Sequence, residues 1–528
     1  MTCGEYLVKL LESYGVELIF GIPGVHTVEL YRGMPGSGLT HVTPRHEQGA
    51  GFMADGYARA TGRPAACFIV TGPGLLNIAT ALGQALADSI PMLVITTLNP
   101  RATLGRGEGK LHEIRGQSII AREVAALART VLTASQFVPA LDEAFALFSS
   151  ARPGPAVIEI PIDLLSEPFD PGPTAPRYFP GRAAPQQRDI EAAAALVRKA
   201  RRPLVIAGGG AICGAPAVRE LIERLGAPAL LTANGKGILP PGHPLLAGGC
   251  LLTPALQAAI RQADLVLAFG TELGETDFWY DAGGLHFGGP VIRVDIDPGQ
   301  LQRNALPALP VLADTGLFAG ALAPLVERPA ADGAARTRAL RAALVEDGDP
   351  RYLRHAPLLA ALWRTLPDAI VAADSTAASY AGNFLAEPPE PRRWMSAATG
   401  FGTLGYALPA AIGVKVARPD MPVICIVGDG GLQFSLPELA SSAEAGAPVI
   451  VLLWNDRCYG EIEHYMVRNQ IAPLGVKLYA TDFSAIAKAF GCVHVPAATL
   501  AEVEAAMKAA AERPVTTIIE MDAATYRD

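Results

Sequence analysis

Short apolar runs alternate with helical periodicity along the whole chain, a pattern that predicts α/β domains with parallel sheets. In the first third the runs at 17–20, 39–43, 65–70 and 92–96 read as strands with helices between them. A second set follows at 204–207, 229–232, 265–269 and 291–294. A third set includes 369–372, 423–427 and 449–454. Segment 167–187 is rich in Pro, Gly and Arg, lacks periodicity and reads as a linker. A second linker, Ala-rich and charged, is expected at 327–336. The expected architecture is three domains, 1–166, 188–328 and 350–528, each with a central, mostly parallel sheet flanked by helices. The length of 528 residues agrees with roughly three units of about 150 residues.

Composition narrows the partners. Hydrophobic residues make up 50% and charged residues 18%, enough to bury large cores. A net charge of −8 argues against nucleic acid or an anionic membrane as the main partner. The N-terminus reads as an amphipathic helix and not a signal peptide. The longest uncharged apolar runs, such as 447–454, are far short of a membrane span. Seven cysteines (Cys3, Cys67, Cys213, Cys250, Cys425, Cys458, Cys492) are dispersed without CxxC spacing. That set fits reduced thiols, and a cytoplasmic location is expected.

The strongest chemical signal is Val423-Ile-Cys-Ile-Val-Gly-Asp-Gly-Gly431. A buried strand runs into a Gly-Asp-Gly turn; a helix over 433–445, a second buried strand and Trp454-Asn455-Asp456 are expected to follow. In a βαβ unit the two strands end on one edge of the sheet, so Asp429 and Asp456 emerge side by side. Two carboxylates with a backbone carbonyl suit a small hard cation such as Mg²⁺. Gly428, Gly430 and Gly431 let the backbone approach a diphosphate, helped by the helix dipole. Taken alone, a Gly-Asp-Gly turn is also an ordinary loop.

The Gly-Asp-Gly followed one strand later by Asn-Asp resembles the thiamine-diphosphate motif of the acetolactate synthase and 2-oxo-acid decarboxylase superfamily. The resemblance implies that Asp456, not Asn455, is the second metal ligand, with the Cys458 carbonyl beside it and Tyr459 nearby. Phe401-Gly-Thr-Leu-Gly-Tyr-Ala-Leu-Pro-Ala-Ala-Ile-Gly413 resembles the segment that bends the coenzyme. It implies Leu404 beneath the thiazolium and the Gly402 carbonyl as acceptor for the coenzyme's amino group. Leu404 also suits a plain core. Asp374-Ser375-Thr376 follows a strand; its hydroxyls and N–H groups are expected to cap the diphosphate or only the next helix.

Thr43-Pro-Arg-His-Glu-Gln-Gly-Ala-Gly51 joins a strand to a small-residue helix opened by Glu47. A first-turn acid can simply complement the helix dipole. The stretch also resembles the family's His-Glu-Gln-Gly-Ala motif, which implies that Glu47 shares a proton with the coenzyme's aminopyrimidine ring. Burial among Ala50, Gly51 and Phe52 is expected to support that exchange. The resemblance places Glu47 and the metal ligands in different subunits, so a homodimer is the implied minimum and a homotetramer the expected form. Gly72-Pro73-Gly74 with Asn77 resembles a further motif near the cofactor.

The substrate pocket is less uniform. His26, in Gly21-Ile-Pro-Gly-Val-His26, and His112, in Leu111-His112-Glu113, are expected to approach a small 2-oxo acid; each also suits a structural role. Glu461, in Cys458-Tyr-Gly-Glu-Ile-Glu463, falls where the family lines the pocket, and a carboxylate there suggests a cationic substrate tail. It also suits a solvated helix face. Over the whole chain the similarity is greatest to 5-guanidino-2-oxopentanoate decarboxylases. The middle segment carries Gly208-Gly209-Gly210, but Thr271-Glu-Leu-Gly-Glu-Thr-Asp277 stands where flavin-binding members have an Arg-rich stretch, so FAD is not expected. Glu275 and Asp277 are further candidates to face the site.

The first expectation is therefore a thiamine-diphosphate and Mg²⁺ enzyme releasing an aldehyde and CO₂ from a 2-oxo acid. The rival is an acetolactate-synthase-like carboligase. A cofactor-binding but inactive homologue is the alternative of another class, and the intact Glu47, Asp429 and Asp456 set argues against it.

Overall fold

A computed structural model describes residues 1–171, 177–251, 253–280, 283–327, 329–330 and 332–527. The middle of the expected first linker and the expected boundary at 328 lie outside these. Among the described residues eighteen strands form three six-stranded sheets, and every strand pairing within them is parallel.

The first sheet holds β1 (Leu18–Gly21), β2 (Thr40–Val42), β3 (Ala66–Ile69), β4 (Met92–Leu98), β5 (Leu127–Thr130) and β6 (Pro155–Pro161), ordered β2-β1-β3-β4-β6-β5. The middle sheet holds β7 (Pro203–Ala207), β8 (Ala229–Leu231), β9 (Leu246–Gly248), β10 (Leu265–Phe269), β11 (Val291–Asp295) and β12 (Leu309–Leu312). Its order, β12-β11-β10-β7-β8-β9, is that of a dinucleotide-type doubly wound sheet. The last sheet holds β13 (Ile370–Ala373), β14 (Trp394–Ser396), β15 (Val423–Gly428), β16 (Ile450–Asn455), β17 (Val493–Pro496) and β18 (Thr517–Asp522). Its order, β14-β13-β15-β16-β18-β17, repeats that of the first sheet position for position. The central strands are apolar throughout because helices cover both faces.

The first and last units share one core. Helix Glu47–Thr61 lies along helix Ala407–Ala417, and Phe52, Met53 and Leu82 bury with Tyr406, Leu408 and Ile412. The approach needs glycine on both sides. A Cβ on Gly56 would strike the Ala410 carbonyl, and one on Gly413 the Met53 carbonyl.

Two local expectations change. The helix expected over 433–445 is two pieces, Asp429–Gln433 and Glu438–Glu444, interrupted before Pro437, which cannot donate in a continuing helix. The end of the second expected linker, from Gly333, is helical: helix Gly333–Glu346 packs on the middle sheet, with Leu340 buried and Arg336 donating to the Pro203 carbonyl at 3.1 Å. Among the described residues no helix is long and apolar enough to cross a membrane.

Candidate active site

In an open parallel sheet the crevice lies where neighbouring strands send their connections to opposite faces. In the last sheet that point falls between β13 and β15, registered Ala373 to Ile426. The chain leaves β13 into Asp374-Ser375-Thr376 and leaves β15 into Asp429. β16 is registered with β15 through Gly428 and Trp454, so Asp456 emerges beside Asp429.

The two carboxylates meet. Asp429 is 2% exposed, and burial followed by the neighbouring Asp456 charge raises its carboxyl to about 6. Burial also raises Asp456, whose Oδ1 accepts from the Cys458 N–H at 3.1 Å. Between them Arg457 adopts a left-handed backbone (φ 54°) that turns the chain sharply. The neighbouring cations are committed elsewhere, Arg457 to Asp522 and Lys477 to Glu463 at 2.7 Å. Among the described residues no three His, Cys, Asp or Glu side chains form a ready-made metal cage. A pair of carboxylates without a counter-ion fits a divalent cation that takes its other ligands from carbonyl, water or phosphate oxygens. Helix Asp429–Gln433 begins at Asp429 itself, which puts Gly430 and Gly431 in its first turn. A Cβ on Gly430 would lie 2.6 Å from the Tyr459 ring.

Asp374 departs from the expectation of a diphosphate cap. Its carboxylate is fully buried and faces inward, accepting from Ser375, Gly405 and Ala407 N–H groups at 2.9, 3.2 and 3.1 Å. Those donors favour the charged form, yet burial wins and raises the carboxyl to about 6. Its work is to hold segment 403–407, helped by the Ser375 hydroxyl donating to the Thr403 carbonyl at 3.0 Å. Thr376 is half-buried, caps helix Ala377–Leu385 without a side-chain bond to it, and sits beside Gly428. Gly402 is exposed at φ 72°, and Leu404 is half-buried, so both present themselves outward.

The first sheet repeats the arrangement between β1 and β3. His26 follows β1, is 6% exposed, and places Nδ1 2.8 Å from the Thr71 hydroxyl after β3. The Thr71 hydroxyl is 2.9 Å from that of Thr97. Burial, then His112, lowers the pKa of His26, so it is neutral at physiological pH. The His112 ring stands edge-on to His26 with centroids 5.0 Å apart. Its backbone is left-handed (φ 61°), and its carbonyl packs on Gly72. Gln117, not foreseen, accepts from the Gly72 N–H at 2.7 Å and donates to the Thr97 carbonyl at 2.8 Å.

Glu47 is the first residue of its helix and is half-buried, not enclosed as expected, because the first turn looks out of the unit. Asn77 donates to Glu47 Oε2 at 2.8 Å, and Gly74 lies beside Oε1. Among the described residues these contacts stay within the N-terminal unit. The loop before Glu47 is anchored by Glu438, which accepts from the Arg45 and His46 N–H groups at 3.1 Å. That carboxylate was not foreseen either.

Glu461, on helix Gly460–Arg468, follows Asp456 closely in the chain. Its Oε2 accepts from the Tyr352 hydroxyl at 3.1 Å and from Arg351 at 3.4 Å. Arg351 is held more tightly by Asp349, at 2.6 Å. The expected open carboxylate is thus partly countered by a cation 110 positions away. In the middle unit, Gly208 and Gly210 serve backbone packing: a Cβ on Gly210 would lie 2.8 Å from Gly270 Cα. Asp277 and the exposed Thr276 line a cleft of about 240 Å³ with Asn234 and Asp88, at the mouth of the middle sheet. Glu275 is exposed on the same short helix.

Comparison with known proteins agrees with this geometry. Residues 1–119 match the N-terminal TPP binding domain of thiamine pyrophosphate enzymes, residues 190–322 their central domain, and residues 375–521 their C-terminal TPP binding domain. The chain is 43% identical over 533 residues to the probable 2-ketoarginine decarboxylase AruI of Pseudomonas aeruginosa, covering 100% of this chain and 95% of that protein. It is 33% identical over 481 residues to the acetolactate synthase isozyme 1 large subunit of Escherichia coli, covering 87% and 82%. It is 33% identical over 529 residues to an acetolactate synthase of Mycobacterium leprae, covering 93% and 82%. These matches, carried on three parallel-sheet units in this order, make the chain a member of the thiamine pyrophosphate enzymes.

Proposed function

We propose that the chain decarboxylates a 2-oxo acid with a cationic tail, 5-guanidino-2-oxopentanoate first, releasing the aldehyde and CO₂. That compound is 2-ketoarginine, the substrate named for its 43% identical relative. The observation that carries the cationic tail is the charge sum at Glu461. Asp349 and Glu461 supply two carboxylates against one guanidinium, Arg351, which leaves one negative charge. Both protein hydrogen bonds to Glu461 fall on Oε2, so Oε1 remains to receive a guanidinium. Trp279, Tyr352 and Tyr380 pack edge-to-face or tilted around this corner, and aromatic faces favour a cation.

The remaining roles follow from chemistry. Asp429, Asp456 and the Cys458 carbonyl would hold Mg²⁺. Thr376, Gly430 and Gly431 would meet the diphosphate and Tyr459 would wall it; Gly402 and Leu404 would meet the rings. The bound coenzyme supplies the electron sink for the pair released with CO₂. Glu47 would hold the proton exchanged with its aminopyrimidine, oriented by Asn77. His26, neutral and fixed through Thr71, would donate from Nε2 to the substrate, with His112 beside it. A second copy would supply Glu47 to each metal site, in a homodimer or homotetramer of the cytoplasm.

The acetolactate synthase relatives keep a carboligase reading in view, in which a second 2-oxo acid is joined instead of a proton. The deciding experiment offers purified protein, thiamine diphosphate and Mg²⁺ a panel of 2-oxo acids while CO₂ and products are followed. Preference for the guanidino acid with aldehyde as product is expected. Acetolactate from pyruvate as the main activity would overturn the decarboxylase reading, and no turnover at all would overturn both.

A further inference from the structure

Gln84, on helix Pro73–Ala87, is fully buried where a leucine would be the ordinary choice. A buried amide is tolerable only when its hydrogen bonds are made. Here all four positions are engaged. Oε1 accepts from the Thr403 N–H at 3.3 Å and the Thr403 hydroxyl at 2.9 Å. Nε2 donates to Asp88 Oδ2 at 2.6 Å and faces the Thr399 hydroxyl at 3.1 Å. The Asp88 carboxylate can only accept, so it fixes which end of the amide faces Thr403.

Asp88 belongs to a larger buried frame. It also accepts from Thr399 at 2.8 Å, Arg59 at 2.7 Å and Asn234 at 2.9 Å. Arg59 reaches Asp55 at 2.6 Å, and Asp55 accepts from the Tyr406 hydroxyl at 2.7 Å. Segment 399–406 is therefore gripped at Thr399, Thr403 and Tyr406 by side chains of two packed helices, with the middle unit joined through Asn234. Between and beside those grips lie the candidate coenzyme contacts Gly402 and Leu404. Gly402 and Gly405 have positive φ, 72° and 78°, so this stretch has little intrinsic stiffness of its own.

We infer that Gln84 is a positioning residue: it sets the height of Thr403 and thereby the placement of Leu404 and the Gly402 carbonyl beneath the coenzyme. The inference rests on the reading of segment 401–406 given under Proposed function. It names a residue that acts through Thr403 and touches neither coenzyme nor substrate.

The test compares full-length wild type, Gln84→Leu and Thr403→Val. Amide hydrogen exchange is followed by mass spectrometry without coenzyme. Coenzyme affinity is then measured by intrinsic fluorescence with Mg²⁺, and kcat and KM separately. In Gln84→Leu, exchange in 399–406 is expected to rise about 10-fold or more while β15 stays protected, and kcat to fall about 10- to 100-fold with KM and coenzyme affinity within about threefold. Thr403→Val removes only the hydroxyl bond, so the same pattern is expected at a smaller size. Faster exchange along the whole chain, or local loosening with unchanged kcat, overturns the inference. Should Gln84→Leu not fold, Thr403→Val decides alone. Wild type that fails to bind thiamine diphosphate sinks the coenzyme reading and this inference with it; normal binding with silent variants sinks this inference only.

Discussion

With no cation bound, the Asp429–Asp456 pair is a liability, and Asp429→Asn should expose that as a gain in stability. Burial and the Asp456 charge raise Asp429 from 3.8 to about 6. One unit corresponds to about 1.4 kcal/mol, so the full shift approaches 3 kcal/mol. Asp456 opens to solvent, which screens the repulsion, and the pair shares its proton; about 1–2 kcal/mol is the working figure. The sign follows from linkage. A folded-state pKa above the unfolded one means the folded form holds its proton more tightly. The cost is absent below about 3.8, grows as pH rises, and is complete above about 6. At about pH 8 in EDTA, Asp429→Asn should therefore raise Tm by about 1–3 °C, and the difference should shrink toward about pH 5. Mg²⁺ with thiamine diphosphate should reverse the order, since ligand at 100 times its Kd stabilises wild type by about 2.7 kcal/mol and the variant by much less. Thermal unfolding followed by circular dichroism in the two buffers reads both effects. A variant less stable than wild type in EDTA at about pH 8, or one that gains equally from cation and coenzyme, would refute the reasoning.

Four further substitutions separate the roles of the other residues. Glu47→Gln should lower kcat by about 100-fold or more while coenzyme affinity, measured by fluorescence titration, changes less than about threefold; unchanged turnover removes its role. Asn77→Leu removes one hydrogen bond to Glu47 and should cost about 10-fold in kcat; a loss expressed only in KM would contradict an orienting role. Glu461→Ala should cut kcat/KM for the guanidino acid by about 10- to 100-fold and leave short neutral 2-oxo acids within about threefold. Arg351→Met should act oppositely and lower KM for the cationic substrate; parallel losses on neutral and cationic acids in either variant would end the charge argument.

Much of the interior of the fold was legible because strands covered on both faces are continuous apolar runs, as at β10, β15 and β16, but the interior strands β6 and β18 were not read. Several sheet edges were not legible. β5, β12 and β17 are short and half exposed, and nothing in their residues separates them from loops. At the site, Asp429 and Asp456 were legible because each follows a buried strand and one crossover joins them. Glu47 was legible from its turn and small-residue helix, but its half-exposure was not, since that depends on what packs over the first turn. The pairing of Glu461 with Arg351 was invisible, because hydrophobic periodicity says nothing about which polar side chains meet across 110 positions. Gln84, Gln117 and Glu438 share that limit: each is a buried polar group whose partners come from other elements.

The repeated strand order of the first and last sheets bears on how the site is completed. Under the proposed function each switch-point crevice would hold half of the chemistry, His26 and the Glu47 helix in one, the Asp429 pair in the other. Within one chain the two units are joined through helices Glu47–Thr61 and Ala407–Ala417, and the contacts of Glu47 remain on its own side. Under the proposed exchange, Glu47, Leu404 and the exposed Gly402 would be surfaces for a second copy to meet. If the copies exchange halves, a hybrid of Glu47→Gln and Asp429→Asn chains contains one site with both changes and one with neither. Random mixing after co-expression makes half of the dimers hybrids, each with one good site, so about a quarter of wild-type activity should return from two nearly inactive parents. A site completed within one chain gives no recovery at any mixing ratio. Activity of the co-expressed pair, measured against each parent at equal protein, decides between the two arrangements independently of which 2-oxo acid is used.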